Sequence, residues 1–316
     1  MLSAITTFGL FLVNIFGFVD TETGSALGCG HDWPLCQGGI LPTNWTFQAV
    51  IEFSHRMVVF AVGLLLFATA VIAWKRFKAW REVRVLIGFA VGGVLLESLF
   101  GALGVLLPDP PWLLAVHLGV AILAFTGSLL MTMLIRKIEK SGDEIYAVGL
   151  RPMAVNQRFK KYAWLSVVYT YAAMYFGAFV ANTGYGGLFQ GWPFPTESYA
   201  AVHTALLVDI AHRTIALGLL LLMIRLTVFG YKSRETRPDL YKGSITALVL
   251  VCMQAFSGGY LIMSHLSAPA FIIHVSIVSC LFATICYLAM QMLPNRMPRA
   301  VQTAKPVVGD YAHSHM

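Results

Sequence analysis

The sequence predicts an all-α integral membrane protein, with eight transmembrane helices arranged as two pseudo-symmetric four-helix bundles. Three observations lead to this fold class. Apolar residues make up 58% of the 316 residues and charged residues only 12%, and the mean hydropathy is +0.72, outside the range of ordinary soluble domains. Eight apolar segments are long enough to cross a bilayer. Two pairs of histidines recur at one spacing.

The eight segments follow from the thickness of the hydrocarbon core, roughly 30 Å, which a helix of about 20 apolar residues can cross. They lie at residues 3–19, 48–74, 84–107, 112–136, 162–181, 203–229, 243–264 and 269–292. The first segment could be a secretory signal, but no Lys or Arg precedes it and no small-residue cleavage site follows. It is therefore predicted to be the first helix.

Lys and Arg predict the orientation. They crowd the connections between segments 2 and 3, 4 and 5, and 6 and 7, whereas the alternate connections contain none. By the positive-inside rule, the basic connections and both termini are cytoplasmic. The net charge of +7 therefore reflects topology, and no nucleic-acid partner is inferred from it. The lack of an Arg-rich, Ser-rich transit segment favours a bacterial plasma membrane.

The basic segment between the fourth and fifth spans divides the chain. Residues 1–136 form the predicted N-terminal bundle, 137–161 a cytoplasmic linker, 162–292 the C-terminal bundle and 293–316 a cytoplasmic tail. Each bundle contains an even number of spans, so both run in the same direction. The predicted repeat is parallel, with its axis along the membrane normal.

Four intramembrane histidines carry the evidence for duplication. His55 and His117 are 62 residues apart, and so are His212 and His274. All four lie near the start of a span that runs inward, which places them at one depth in the outer leaflet. Two facing helices that present histidine at equal depth can ligate one iron axially. Bis-histidine haem is favoured over hydrogen-bonded core histidines, and over zinc or copper, which need more ligands.

Charged residues repeat with the first histidine of each pair, three positions before it and one after it: Glu52, Arg56, Asp209 and Arg213. A buried arginine needs an anion, which haem propionates or the neighbouring carboxylate would supply, and both can hold together. Glu52 shares a helix face with His55 and is the candidate general base or cation-stabilising group. A hydrogen bond that orients a ligand or an arginine is the alternative.

The halves differ in their cysteines. Cys29 and Cys36 lie in the first outer loop, on the oxidising side. We expect a disulfide between them, with a free or exchangeable thiol pair as the alternative. The corresponding loop of the second half has no cysteine.

The third span of each half differs as well. Glu97 is matched by the uncharged Gln254, so the halves are not chemically equivalent. Gly101 and Gly258 follow one turn later, where a missing side chain would allow close approach of a haem plane or a neighbouring helix.

Taken together, these residues resemble the haem A synthase family. The resemblance spans all eight predicted helices and rests on Thr23-Gly24-Ser25, Gly28-Cys29-Gly30, Trp33-Pro34-Leu35-Cys36, Glu52-x-x-His55-Arg56, His117, His212-Arg213 and His274. It implies an oxidoreductase of terminal-oxidase assembly. Such an enzyme oxidises the C8 methyl group of haem O to the formyl group of haem A through successive hydroxylations.

The resemblance also implies that one half holds haem b and the other holds the haem substrate. Glu52 and the cysteine pair favour haem O between His55 and His117, which leaves His212 and His274 as the ligands of haem b. Haem O synthase and a membrane electron acceptor are possible partners beside the lipid bilayer. Some members carry a second outer-loop cysteine pair, which this chain replaces with glycines and apolar residues at 186–191.

Two other functions also suit two bis-histidine sites. One is a diheme b-type membrane electron-transfer cytochrome, and the other is a haem transporter or chaperone. Neither of these functions requires the two halves to differ at Glu52 or in their outer-loop cysteines. These two differences therefore favour the enzyme.

Overall fold

Long α-helices make up most of this protein. The computed structural model describes residues 1–107, 111–142, 145, 150, 156–196 and 203–294. Within these ranges the long helices are α1 (Leu2–Glu22), α2 (Phe47–Phe77), α3 (Arg81–Leu106), α4 (Pro111–Ser141), α5 (Gln157–Asn182), α6 (His203–Lys232), α7 (Pro238–Met263) and α8 (Ala268–Met290). Each is long and apolar enough to cross a membrane. The predicted all-α fold with eight spans is therefore confirmed.

Seven of the eight helices are longer than the apolar segments that predict them, and α8, with 23 residues, is one residue shorter than its predicted segment 269–292. α2 and α4 contain 31 residues each, or roughly 46 Å at 1.5 Å per residue, so they project beyond the hydrocarbon core. The side chain of Thr46 caps α2 by accepting a hydrogen bond from the N–H of Ala49 at 3.2 Å. Both α4 and α5 reach into the segment 137–161, and the tail from residue 295 lies outside the described residues.

The helices pack as two groups of four, the N-terminal half (α1–α4) and the C-terminal half (α5–α8). In the N-terminal half α1 contacts α2 and α4, and α3 contacts the same two helices. In the C-terminal half α5 contacts α6 and α8, and α7 contacts those two. The halves meet where α4 packs on α5 and α8, and where α1 packs on α8.

Because successive helices alternate in direction, α2, α4, α6 and α8 all begin on the same side of the molecule. We call this side the disulfide side, because the loop with Cys29 and Cys36 lies there. The opposite side, reached by the Lys- and Arg-rich connections, is the basic side.

The buried apolar core lies toward the basic side of both halves. Its largest fully buried side chains include Trp80, Met131, Phe159, Met223, Leu226, Leu240 and Leu281. Among the described residues, every buried member of the four apolar clusters on α2, α4, α6 and α8 follows the histidine of its helix. The histidines therefore lie on the disulfide side of the packed core.

Hydroxyl groups join α1 to its neighbours within that core. Thr6 and Thr69 lie 2.7 Å apart between α1 and α2, and Thr7 lies 2.9 Å from Ser128 and 3.0 Å from Thr132 of α4. Hydrogen bonds of this kind hold helices together where the surroundings are as apolar as the helices themselves. They fix the position of α1, whose far end reaches the histidines.

Candidate functional site

The structure brings the four histidines together as two pairs. His55 of α2 lies near His117 of α4, and His212 of α6 lies near His274 of α8. Each lies in the second or third turn of its helix. In the described part of the chain no group of three or more His, Cys, Asp or Glu residues could hold a metal ion. Two imidazoles per half suit the two axial positions of a haem iron.

Each histidine ring lies against a glycine of the preceding helix. A β-carbon added to that glycine would meet the Cε1 atom of the ring at van der Waals distance or closer. The contacts are Gly17 to His55 (3.4 Å), Gly101 to His117 (3.4 Å), Gly177 to His212 (3.6 Å) and Gly258 to His274 (3.2 Å). The close approach that the sequence predicts at Gly101 and Gly258 is thus made by the histidine ring. All four rings are confined on one side by bare backbone.

A haem fits the donor chemistry of both pairs. The Nδ1 atoms of His117 and His212 are buried without a side-chain hydrogen-bond partner among the described residues, and the backbone of Glu97 lies near His117. Buried polar atoms are normally satisfied, because leaving one without a partner costs free energy. Each pair therefore contains an imidazole whose bonding capacity the described side chains do not fill, and a haem held between the two rings would use that capacity.

Arg56 connects the N-terminal pocket to the outer loop. Its Nη2 donates a hydrogen bond to Oε1 of Glu52, one turn earlier on α2. Its Nη1 donates to the carbonyl oxygens of Asp32 and Leu35, at 3.2 Å and 2.6 Å. The carboxylate partner considered in the sequence interpretation is therefore present.

Arg213 makes the matching set of contacts in the C-terminal half. Its Nε donates to Oδ2 of Asp209 at 2.9 Å, and its Nη1 donates to the carbonyl oxygens of Gly191 and Pro193, at 3.0 Å and 2.8 Å. Its Nη2 is buried and has no partner among the described residues. This nitrogen is a donor available to an anion such as a propionate.

The predicted disulfide between Cys29 and Cys36 is present, and both residues are buried. The N–H of Cys29 donates a 2.6 Å hydrogen bond to Oε2 of Glu52, which is itself only 3% exposed. Both oxygens of Glu52 are thus engaged, one by the disulfide loop and the other by Arg56. The carboxylate is held in one place between the loop and the histidine pocket.

A close contact between two backbone segments requires glycine at position 28, just before Cys29. A β-carbon at this position would lie 2.3 Å from the carbonyl carbon of Gln48 and 2.5 Å from the nitrogen of Ala49. The loop backbone passes directly over the start of α2, and any side chain would collide with backbone that cannot move aside. This approach brings the N–H of Cys29 within reach of Glu52.

Three polar contacts to the histidines were not predicted from the sequence. Oδ2 of Asp20 lies 3.6 Å from Nδ1 of His55. The hydroxyl of Ser257 lies 2.9 Å from Nδ1 of His274, and Nε2 of Gln254 lies 2.9 Å from Nε2 of the same ring. An acid near the end of an apolar helix is the sequence signal that could have identified Asp20.

Comparison with known proteins places the chain in a family. The sequence model of the COX15-CtaA family, described as cytochrome oxidase assembly protein, matches residues 1–286. A heme A synthase of Bacillus pumilus (strain SAFR-032) is 32% identical over 292 residues, which cover 92% of this chain and 94% of that protein.

Two further relatives match over nearly the same length. Heme A synthases of Bacillus cereus (strain AH187) and Bacillus anthracis (strain CDC 684 / NRRL 3495) are each 29% identical over 296 residues, which cover 92% of this chain and 91% of theirs. The residues that the family model matches span both histidine pairs and the disulfide loop of this chain. The chain belongs to the COX15-CtaA family of cytochrome oxidase assembly proteins.

Proposed function

We propose that this protein is an oxidoreductase that converts haem O into haem A, the activity named in its heme A synthase relatives. The C8 methyl group of haem O is oxidised to a formyl group through successive hydroxylations. The observation that carries the proposal is the presence of two histidine pairs, each backed by glycines, in a chain of this family.

In this proposal His212 and His274 of the C-terminal half would hold the iron of the resident haem b. The unpartnered Nη2 of Arg213 would hold one propionate. When bound, haem b supplies a redox centre that accepts electrons released by substrate oxidation. The protein's own part is to orient the two imidazoles, through glycine contacts on both and the hydroxyl of Ser257 on one.

The N-terminal half holds haem O between His55 and His117, with Arg56 beside a propionate. Two features support this assignment, and within the described residues both are found in this half alone. The disulfide loop lies against the start of α2, and its Cys29 N–H holds the carboxylate of Glu52. Glu52 therefore has a fixed position one turn from His55, on the face where the substrate would lie.

Each hydroxylation of the methyl group adds oxygen from water and releases electrons and protons. A second hydroxylation gives a geminal diol, which loses water to leave the aldehyde. Glu52 is the residue that stabilises positive charge at the reacting carbon or accepts its proton. The hydrogen bonds from Cys29 and Arg56 keep the carboxylate in place without a change of conformation during the reaction.

The proposal also includes the orientation of the protein in the membrane, its symmetry and its partners. The basic connections and both termini lie in the cytoplasm of a bacterium, and the histidines lie in the outer leaflet of its plasma membrane. The uneven distribution of Lys and Arg supports this orientation. The matching contacts of Arg56 and Arg213 support two pseudo-symmetric bundles. Haem O synthase would supply the substrate, and a membrane electron acceptor would remove electrons.

The test is to identify the haems bound to protein purified from cells with and without a supply of haem O. Haem b together with haem O, the alcohol intermediate or haem A is the expected result when haem O is supplied. Haem b alone under both conditions would contradict the proposal and favour an electron-transfer cytochrome. Release of unchanged haem O to an acceptor protein would favour a haem chaperone.

A further inference from the structure

The two histidine pairs differ in what contacts the second ring nitrogen. In the described part of the chain, Nδ1 of His55 lies beside the carboxylate of Asp20, and Nδ1 of His274 lies beside the hydroxyl of Ser257. Nδ1 of His212 has no hydrogen-bond partner there, and His117 meets the backbone of Glu97 but no polar side chain. Each half therefore places polar side chains on one histidine of its pair, and the group beside Nδ1 is an acid in one half and a neutral hydroxyl in the other.

Asp20 is a buried acid without a permanent cation. It lies in the last turn of α1 and is 8% exposed, and its Oδ1 is buried without a hydrogen-bond partner. Glu52 pairs with Arg56, and Asp209 pairs with Arg213. Among the described residues the ion-pair contact of Asp20 is with His55 alone. A carboxylate in an apolar helix bundle is costly unless a positive centre accompanies it.

The C-terminal half has no acid at the matching position. Phe16-Gly17 on α1 corresponds to Phe176-Gly177 on α5, and Thr23-Gly24 corresponds to Thr183-Gly184. In that register Asp20 corresponds to Val180, which is buried. The acid is therefore a feature of one pocket and not of the shared scaffold.

A histidine that binds a metal through one nitrogen usually donates the hydrogen of its other nitrogen to a carboxylate, carbonyl or water. The partner fixes the tautomer and the ring orientation, and a carboxylate also makes the imidazole a stronger donor. Asp20 lies on the correct ring nitrogen of His55 to play this part. With iron on the opposite nitrogen, the buried carboxylate would acquire the positive centre that it lacks.

We propose that Asp20 is the positioning residue of His55, and that its charge gives the N-terminal haem a lower reduction potential than the C-terminal haem. This inference rests on the proposed function, because it requires a haem in the N-terminal half. A negative charge beside an axial ligand stabilises the oxidised iron, whereas the Ser257 hydroxyl orients His274 without adding charge. Electrons released in the substrate half therefore pass downhill to haem b.

The experiment is a spectroelectrochemical titration of the haem-loaded protein. The absorption change that disappears in His117→Ala is assigned to the N-terminal haem. Asp20→Asn keeps the shape and removes the charge, and should shift the midpoint potential of the N-terminal haem upward while leaving the C-terminal haem unchanged. Asp20→Val installs the residue of the other half and should weaken N-terminal haem binding by roughly 10- to 100-fold. The matched control, Ser257→Ala, should alter the C-terminal haem only.

The inference is overturned if Asp20→Asn leaves the N-terminal potential unchanged, or if both haems shift equally, which would indicate a general disturbance of α1. Asp20→Val protein that retains its N-terminal haem as tightly as the wild type would also contradict it. Wild-type protein that holds an N-terminal haem but never converts haem O would overturn the proposed function, while the titration would still decide the role of Asp20. Wild-type protein without any N-terminal haem would overturn both.

Discussion

The N-terminal and C-terminal halves agree in the glycines and the arginine–acid pairs around the histidines, and differ in the polar groups that contact the histidine rings. In both halves a glycine backs each ring, and an arginine pairs with an acid and donates to two loop carbonyls. Asp20, Glu52 and the disulfide loop surround one pair, whereas Ser257 and Gln254 contact the other. The shared contacts make a ligand scaffold. Of the unshared side-chain contacts among the described residues, only that of Asp20 adds a charged group without a charged counterpart in the other half.

Under the proposed function, this difference would let one architecture serve two haems with different fates. A resident cofactor requires ligands held firmly, which neutral hydrogen bonds provide. A substrate that loses electrons and protons requires nearby negative charge, and Asp20 adds a second buried carboxylate to the half that contains Glu52. Changes in a few side chains around an unchanged ligand set are sufficient for the two tasks.

The largest effect should come from removing one ligand from each half. In His274→Ala the C-terminal haem should lose its low-spin bis-histidine spectrum completely, while the N-terminal haem keeps its own. In His117→Ala the N-terminal haem should lose its low-spin bis-histidine spectrum while the C-terminal haem keeps its own. This variant should therefore contain haem b without bound haem O. Electron paramagnetic resonance and analysis of extracted haems measure both outcomes. Loss of the same haem in both variants would show that the two halves do not hold separate haems.

Glu52 and Asp209, which precede the first histidine of each pair, should differ strongly in their effect on the rate of haem A formation. Glu52→Gln retains an acceptor for the Cys29 N–H but loses the charge, and haem A formation should fall by about 100-fold or more. Asp209→Asn, the matched change in the other half, should have a much smaller effect. The rate is measured per bound haem b, with haem b content as the control for folding. Equal losses in the two variants would remove the functional distinction between the halves.

The C-terminal half has no disulfide loop. In the N-terminal half, the contact between this loop and the start of α2 should be sensitive to a single added methyl group. In Gly28→Ala the new β-carbon would collide with the backbone of Gln48 and Ala49, and we expect a loss of about 1–3 kcal/mol in stability. Gly63→Ala on α2, the helix that the loop crosses, is the control, because its β-carbon would meet nothing within 4 Å. Thermal unfolding in detergent and mass analysis of the disulfide give the result. Equal unfolding temperatures would contradict the close approach.

The smallest effects on haem binding should come from the glycines that contact the histidine rings. Their order should match the distance from the added β-carbon to the ring. Gly258→Ala, with a β-carbon 3.2 Å from His274, should displace the ring and weaken haem binding a few-fold. Gly177→Ala, at 3.6 Å from His212, should be close to neutral, and the changes at Gly17 and Gly101 should lie between them. Haem dissociation rates measured by absorption rank the four variants. The reverse order would show that the glycines do not confine the rings.

Much of the site could be predicted because its signals are repeated along the chain. The histidine spacing and the acid and arginine around His55 and His212 recur in the same order, and the structure brings each of these groups together. The helix ends were less well predicted, because hydropathy reports the thickness of the hydrocarbon core and not the length of the helix. α4 continues to Ser141 through a basic segment that no longer resembles a membrane span.

Asp20, Ser257 and Gly177 could not be identified in this way. Asp20 has no acidic counterpart in the other half, and Ser257 corresponds to Phe100 in the repeat, so neither forms part of a repeated pattern. Gly177 does repeat Gly17, but glycine is common in membrane helices and gives no sign of what it faces.

The sequence by itself determined the number of spans, their predicted orientation and the four candidate ligands. A bilayer leaves helices as the only economical way to satisfy the backbone of an apolar chain, and position along a helix sets depth. Only the tertiary structure decided which groups contact those ligands. The contacts of His55 with Asp20 and Gly17, and of Glu52 with Cys29, join separate segments. Such contacts depend on how neighbouring helices rotate and pack, which the pattern along one helix does not specify.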